Sequence, residues 1–167
     1  MKTTISENSA FFGIKYETHC YWMKQALILA KKASDMGDVP VGAVIIDDQG
    51  NLIAEGLNRK EQNHDPTGHA EIIAIRKATE KLRSWHLGHC ILYVTLEPCI
   101  MCSGAIIQSR LGLLVYGVDD PKSGTIRTVL NIPDSVASNH RLSVLSGILE
   151  NECRQQIQDW FKKKRKI

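Results

Sequence analysis

The chain has 167 residues, of which 43% are hydrophobic and 23% are charged, and its formal net charge is +3. This length and composition are typical of one globular domain and exclude disordered, collagen-like and coiled-coil proteins. The chain has five cysteines, an odd number, and lacks both a secretory signal and an apolar run of the ~18 residues needed to span a membrane, so we expect a cytoplasmic protein with free or metal-bound thiols and no membrane partner.

The first half of the chain alternates between helical and strand patterns. Residues 1–16 have no clear period, and we expect an N-terminal arm there, followed by a single domain over residues 17–167. Apolar residues at three- and four-residue spacing indicate helices, and short β-branched runs around a polar turn indicate a hairpin. The predicted elements are a helix from its N-cap Thr18 to Gly37, strands over 41–46 and 52–56, a loop over 58–66 and a helix over 70–82.

The second half continues the alternation, which favours parallel strands joined by crossover helices in a three-layer α/β domain. Its predicted elements are a strand over 91–95, a helix over 99–109, strands over 113–116 and 141–144 and a helix from about Gly147, with a helical turn near Val129.

A basic run ends the last predicted helix. Residues 162–166 hold five of the 21 Lys and Arg residues, so the rest of the chain has 16 basic against 18 acidic residues and is nearly neutral. Such a run is typical either of a solvated helix end that complements the helix dipole or of a nucleic-acid contact.

Two cysteines begin a predicted helix. Cys99 and Cys102 follow Pro98 and are three residues apart, so their side chains share one helix face. A helix N-terminus stabilises thiolates, which bind metal. Alone, the pair is also typical of a redox disulfide or of two buried thiols.

A histidine and a glutamate begin the preceding predicted helix. His69 adds a nitrogen ligand to two thiolates, which together form a zinc-preferring set with a fourth position left for water. Glu71 beside that position can exchange protons with the reacting groups. His64, His89 and Cys90 remain candidates for a closing fourth ligand, which would make the site structural.

His69-Ala70-Glu71 with Pro98-Cys99-Ile100-Met101-Cys102 resembles the zinc-dependent cytidine/deoxycytidylate deaminase superfamily. Further stretches resemble its tRNA-specific adenosine deaminase family: His64-Asp65-Pro66-Thr67-Gly68-His69, Leu92-Tyr93-Val94-Thr95-Leu96-Glu97 and Tyr116-Gly117-Val118-Asp119-Asp120-Pro121 among them. The likeness extends over roughly residues 17–162.

The resemblance implies a three-layer α/β/α cytidine-deaminase-like fold with a five-stranded mixed sheet. It also implies hydrolytic conversion of a wobble adenosine, anticodon position 34 of an arginine tRNA, to inosine with release of ammonia. His69, Cys99 and Cys102 would hold one Zn²⁺ per subunit and Glu71 would be catalytic. The implied partners are the tRNA anticodon stem-loop and a second subunit in a homodimer, with no organic cofactor.

Several residues are candidates for contact with RNA by the same resemblance. Asn58 matches a residue at the target nucleotide, and Asp120 matches a carboxylate near the RNA backbone; both residue types are equally typical of turns. The candidates for phosphate contact are Arg110, Lys122, Arg141, Lys162, Lys163, Lys164 and Arg165. Thr95 and Glu97 are expected to line or support the pocket, and the segment after Gly124 departs from the family pattern.

Two other functions remain open. A free-base or nucleoside deaminase acting on guanine or cytosine would share both zinc motifs, and a non-enzymatic RNA-binding module could hold a structural zinc. The Asn139-His140-Arg141 stretch and the basic last helix favour RNA.

Overall fold

The structure, a computed structural model, describes residues 10–166. Its elements in chain order are β1 (Ala10–Phe11), β2 (Ile14–Lys15), α1 (Tyr16–Asp35), β3 (Gly42–Asp47), β4 (Leu52–Leu57), α2 (Ala70–Leu82), β5 (Cys90–Leu96), α3 (Ile100–Gln108), β6 (Leu113–Val118), β7 (Ser143–Ser146) and α4 (Glu150–Arg165). Of the predicted arm, residues 1–9 lie outside the described part, and the remainder includes the small β1–β2 hairpin. No helix within residues 10–166 is both long and apolar enough to cross a membrane.

Five strands form one mixed sheet in the order β4-β3-β5-β6-β7. Strand β3 pairs antiparallel with β4 and β5, whereas β5, β6 and β7 run parallel. The prediction of a five-stranded mixed sheet, with a hairpin first and parallel strands later, is confirmed.

Alternate residues of each central strand enter two separate cores. Ala43 and Ile45 of β3 pack with α2 and α3 on one face, while Val44 and Ile46 pack with α1 and α4 on the other. Because side chains alternate along a strand, a sheet buried on both sides needs apolar residues in succession. This requirement explains the continuous apolar run in β3 and the three-layer architecture.

Helix ends differ from the predicted ones where the chain turns sharply. Helix α1 begins at Tyr16 after Lys15, so Thr18 lies in its first turn and is not the N-cap. Helix α4 begins at Glu150, because Gly147 and Leu149 both have positive φ, 86° and 51°, which a helix does not allow. The last strand lies two residues later than predicted, and 125–128 form a turn without a helix.

The strand ends that lead into α2 and α3 lie at one edge of the sheet. Strand β4 ends at Leu57, which pairs with Gly42, and the adjacent Ala43 pairs with Val94 near the end of β5. Strands β5 and β6 are parallel and also end at this edge. Helix α2 after β4 and helix α3 after β5 therefore begin at the same edge.

Candidate active site

The loop before α2 ends at His69, and Glu71 lies in the first turn of that helix. Within the loop the Asp65 carboxylate accepts hydrogen bonds from the Thr67 N–H at 2.8 Å and the Thr67 hydroxyl at 2.7 Å. His69 is the N-cap of α2, with extended backbone angles of −75° and 150°. Because His69 precedes the helical turns, its ring and the side chain of Glu71 both reach one pocket, although residues two apart in a regular helix diverge.

The two cysteines lie at the start of α3, which follows strand β5. Cys99 is the N-cap of α3, also with extended backbone, and Cys102 lies fully buried in the first helical turn. Pro98 suits this place because the first helical N–H groups have no intrahelical acceptor. The three-residue spacing then turns both sulfur atoms toward His69.

The histidine and the cysteines form a compact cluster of ligand atoms. His69 Nδ1 lies 3.6 Å from Cys99 Sγ and 3.5 Å from Cys102 Sγ, and all three atoms lie within 4.8 Å of one another. A tetrahedral zinc ion with ordinary Zn–N and Zn–S bonds separates nitrogen from sulfur by about 3.6 Å. The donor set and its spacing therefore fit zinc.

The protonation of these ligands is coupled. A hydrogen bond from the Cys102 thiol lowers the pKa of Cys99 to about 4, and the same contact raises the pKa of Cys102. A hydrogen bond with Cys99 raises the pKa of His69. Of the two thiols, Cys99 is therefore the one that loses its proton more readily. Metal binding requires release of the second thiol proton.

Glu71 lies beside the cluster and is only 4% exposed. Burial raises the pKa of Glu71 to about 7, because the charged carboxylate loses its hydration. A carboxyl group in this range can both accept and donate a proton near neutral pH.

The candidates for a closing fourth ligand do not join the cluster. His64 is exposed, His89 lies 3.8 Å from Asp48, and Cys90 begins β5 at the opposite edge from Cys99. Within residues 10–166, the His, Cys and acidic groups close enough to share a metal are His69, Cys99 and Cys102. Three protein ligands with an open position are typical of catalytic zinc sites.

A cavity of about 170 Å³ opens over the cluster. Pockets for drug-sized ligands begin at roughly 300 Å³, so this volume suits one small group. Its walls include both apolar and polar side chains; besides His69, Cys99 and Glu71 they are Val39, Val41, Asn58, Lys60, Ala70, Leu96, Glu97, Asp120 and Ser123.

Two predicted RNA-contact residues line this cavity. Asn58 is 7% exposed, and its amide donates to the Val39 carbonyl at 3.1 Å while its oxygen accepts from the Lys60 N–H at 3.2 Å. Asp120 accepts from the N–H groups of Lys122 and Ser123. Both side chains therefore shape turns and face the pocket at the same time.

The structure does not bring Arg110 and Arg141 to the edge of the sheet where the cavity lies. Arg110 follows α3 and donates to Asn139 Oδ1 at 2.5 Å. Arg141 precedes β7, whose first residue pairs with Leu113 at the start of β6. Both arginines thus lie at the edge of the sheet where the parallel strands begin, away from the cluster.

A second groove of about 540 Å³ extends from the cavity along α4. The two share Val39, Leu96, Asp120 and Ser123. The groove is further lined by Lys122, Arg154, Phe161 and Arg165, among others. Of the basic run, Arg165 faces this groove, and Lys164 lies 5.3 Å from the centre of the Trp160 ring. The basic run is therefore divided between different faces of the helix.

The sequence analysis does not identify two charged residues around the cavity. Lys60 lines it directly. Asp38 is fully buried and accepts from the N–H groups of Glu61 and Gln62 at 2.7 and 3.2 Å, which secures the same loop. The partners of Asp38 are more than twenty residues away, so no local pattern indicates its role.

Comparison with known proteins gives the class first. The family model of MafB19-like deaminases matches residues 17–165, so the fold and the cluster are those of a deaminase. A solved structure from studies of A-to-I editing by tRNA:A34 deaminases at the wobble position of transfer RNA superposes with a TM-score of 0.79. It is 40% identical, and the match covers 81% of this chain and 98% of that one.

Two curated relatives narrow the class. The tRNA-specific adenosine deaminase of Haemophilus influenzae is 47% identical over 143 residues, 86% of this chain and 83% of the relative. That of Bacillus subtilis is 41% identical over 145 residues, 87% and 89% of the two chains. The chain belongs to the family of tRNA-specific adenosine deaminases. The predicted cytidine-deaminase-like fold is confirmed with it.

Proposed function

We propose that the chain is a zinc-dependent tRNA adenosine deaminase that converts the wobble adenosine, anticodon position 34, to inosine. One observation carries the proposal: His69, Cys99 and Cys102 converge beside buried Glu71 at the base of a cavity of nucleobase size. The identity of the relatives supports the same substrate class. We propose that residues 17–167 act as one domain in this reaction.

His69 Nδ1 and the sulfur atoms of Cys99 and Cys102 would hold one Zn²⁺ per subunit. Bound there, zinc supplies Lewis acidity that makes water nucleophilic near neutral pH. The chain needs no organic cofactor for this hydrolysis, since water is the only co-reactant: adenosine and water give inosine and ammonia.

Glu71 would move the protons of the reaction. Its carboxylate takes a proton from the attacking water and delivers one to the amino nitrogen, which leaves as ammonia when the C6–N bond breaks. The raised pKa of Glu71 suits both transfers, because a carboxyl group with a pKa of about 7 can take up a proton and release it again near neutral pH.

The target base must leave its stack to enter a narrow cavity. Bases of an anticodon loop are single stranded, so extruding one costs less than extruding a base from a duplex. Asn58 and Asp120 in the cavity wall would contact the extruded nucleotide. Lys122 and Arg165, which line the adjoining groove, would contact the flanking backbone, whereas Lys162, Lys163 and Lys164 of the basic run do not line it.

The adjoining groove favours RNA over the alternative of a free-base or nucleoside deaminase. A free guanine or cytosine would be enclosed by the cavity of about 170 Å³ and would leave the groove along α4 unused. Arg110 and Arg141 stay predictions. At the far edge they could meet only RNA outside the anticodon loop or RNA held by another subunit.

We also propose a homodimer in the cytoplasm. Ile100 at the start of α3 is 62% exposed, and Val129 and Leu130 are each 50% exposed. Val129 and Leu130 lie on a segment whose Thr125 N–H donates to the Pro98 carbonyl just before α3. Exposed apolar side chains on two hydrogen-bonded segments are typical of subunit interfaces. The five free cysteines suit a reducing compartment.

A substrate panel tests the proposal. We expect the protein to form inosine in an anticodon stem-loop with adenosine at position 34 and to leave free adenosine, guanine and cytosine unchanged. An arginine tRNA is the predicted natural substrate, and stem-loops of other tRNAs with adenosine at position 34 test it. Ammonia release from guanine or cytosine with no reaction of the RNA would favour the free-base alternative.

The variant Glu71→Ala separates catalysis from binding. We expect it to keep zinc and RNA binding and to lose turnover by about 10²-fold or more, the typical contribution of general acid–base catalysis. Full activity in this variant, or loss of zinc from it, would contradict the role of Glu71. RNA binding without turnover by the wild-type protein would leave a structural zinc module as the better description of the site.

A further inference from the structure

Glu97 connects the metal-binding segment to a distant loop. It follows β5 directly, precedes Pro98 and Cys99 and is 2% exposed. One carboxylate oxygen accepts from the N–H groups of Ile126, Arg127 and Thr128 at 3.1, 2.9 and 3.1 Å. The other accepts from the Asp120 N–H at 3.0 Å and from the Thr128 hydroxyl.

These five donors occupy the whole carboxylate. An ionised carboxylate has about four lone-pair sites, so none is left for a substrate hydroxyl or amine. All five donors come from residues 120–128, within which a Cβ on Gly124 would overlap the Glu97 carboxyl group. Glu97 therefore acts on this segment and not on a ligand.

The held segment forms a wall of the cavity. Asp120 and Ser123 line it, and the Ser123 hydroxyl donates to the Asp120 carboxylate at 2.7 Å. Beyond them, the Arg127 guanidinium makes two hydrogen bonds to Asp119 at 3.1 and 3.2 Å. The wall is internally braced. Glu97 links it to the segment between β5 and α3, and Thr125 adds hydrogen bonds to Pro98 and Ser103.

We propose that Glu97 is a positioning residue that sets substrate affinity by holding residues 120–128 as a wall of the cavity. This inference rests on the proposed function, because the affinity concerned is that for the RNA substrate. The hydrogen bonds are charge-assisted and therefore about twice as strong as neutral ones. A wall that touches the nucleotide in both ground and transition states affects KM more than kcat.

The variant Glu97→Gln tests the proposal with little change of shape. Its amide group places N–H donors against N–H or O–H donors, so the hydrogen bonds at one oxygen are lost. We expect KM for the anticodon stem-loop to rise about tenfold or more, kcat to stay within about threefold, and zinc to stay at the wild-type level. Amide hydrogen exchange at residues 126–128 should become faster in the substrate-free protein.

Two further variants control the experiment. Asp47→Asn makes the same chemical change in a carboxylate that accepts three hydrogen bonds in the β3–β4 turn, at the opposite edge from the cavity; we expect its KM to match the wild type. Thr128→Val removes one donor to Glu97 and should raise KM by a few-fold, which tests the proposal even where Glu97→Gln does not fold.

The outcomes separate the possibilities. An unchanged KM with faster exchange would overturn the proposal, as would loss of zinc with unchanged exchange, or a fall of kcat alone. If the wild-type protein leaves the RNA unreacted, the proposed function fails, while the exchange measurement still decides whether Glu97 holds the wall.

Discussion

Replacing Arg165 with alanine should weaken RNA binding in a salt-dependent way, whereas replacing Lys163 should not. Arg165 lines the groove that continues from the cavity, together with Phe161 one helical turn earlier. Successive helical residues point about 100° apart, so Lys163, two positions from each, faces away from the groove. The two residues are both exposed and cationic but lie on opposite sides of α4.

The size of the effect follows from counterion release. One phosphate contact with single-stranded nucleic acid contributes a slope of about 0.7 to the plot of log affinity against log salt. Loss of this contact flattens the slope by about 0.7 and weakens binding about fourfold at 0.15 M salt. Arg154 also lines the groove, but its ion pair with Glu150 partly neutralises it, so Arg154→Ala should have a smaller effect.

Fluorescence anisotropy with a labelled anticodon stem-loop, at salt concentrations from about 50 to 200 mM, measures these slopes. Truncation after Phe161 removes five positive charges, but only Arg165 of the basic run lines the groove. We therefore expect the truncated protein to resemble Arg165→Ala. Equal slopes for Arg165→Ala and Lys163→Ala would refute the reasoning from helix faces, and no change after truncation would show that the run is only a solvated helix end.

Three more predictions concern the metal, the packing and the assembly. Cys102→Ser should lose zinc and activity, while Cys90→Ser, buried at the opposite edge of the sheet, should keep both, as metal analysis and the deamination assay would show. Gly56→Ala should lower the free energy of unfolding by about 1–3 kcal/mol, measured by urea denaturation, because the new Cβ would lie 2.8 Å from the Ala74 nitrogen of α2; wild-type stability would contradict this close packing. Light scattering should give the mass of two chains, and Ile100→Asp should shift it to one; a monomeric wild type would remove the dimer.

Local patterns in the sequence predicted the elements that depend on neighbouring residues. Helix α2 begins and ends where its apolar spacing indicates, at Ala70 and Leu82. The sequence predicts that His69 and Glu71 lie near Cys99 and Cys102, because the ligand chemistry requires those residue types near helix starts. The prediction of Thr18 as the N-cap of α1 is wrong, because a residue type that can cap a helix does not by itself show where the helix begins. Helix α1 begins directly after the β1–β2 hairpin.

What the sequence by itself determined is therefore the residue types of the candidate metal centre and the alternation of helices and strands, because both depend on side-chain type and short spacing. Only the tertiary structure decided which charges can serve the cavity. Arg110, Arg141 and Arg165 are all arginines that the sequence analysis predicts to contact phosphate. Strand order places the first two at the far edge of the sheet, and the helix phase turns the third toward the groove. The proposed role of Glu97 depends on hydrogen-bond donors 23 to 31 residues away in the sequence. Such contacts form only when distant segments pack together, and no local pattern encodes them.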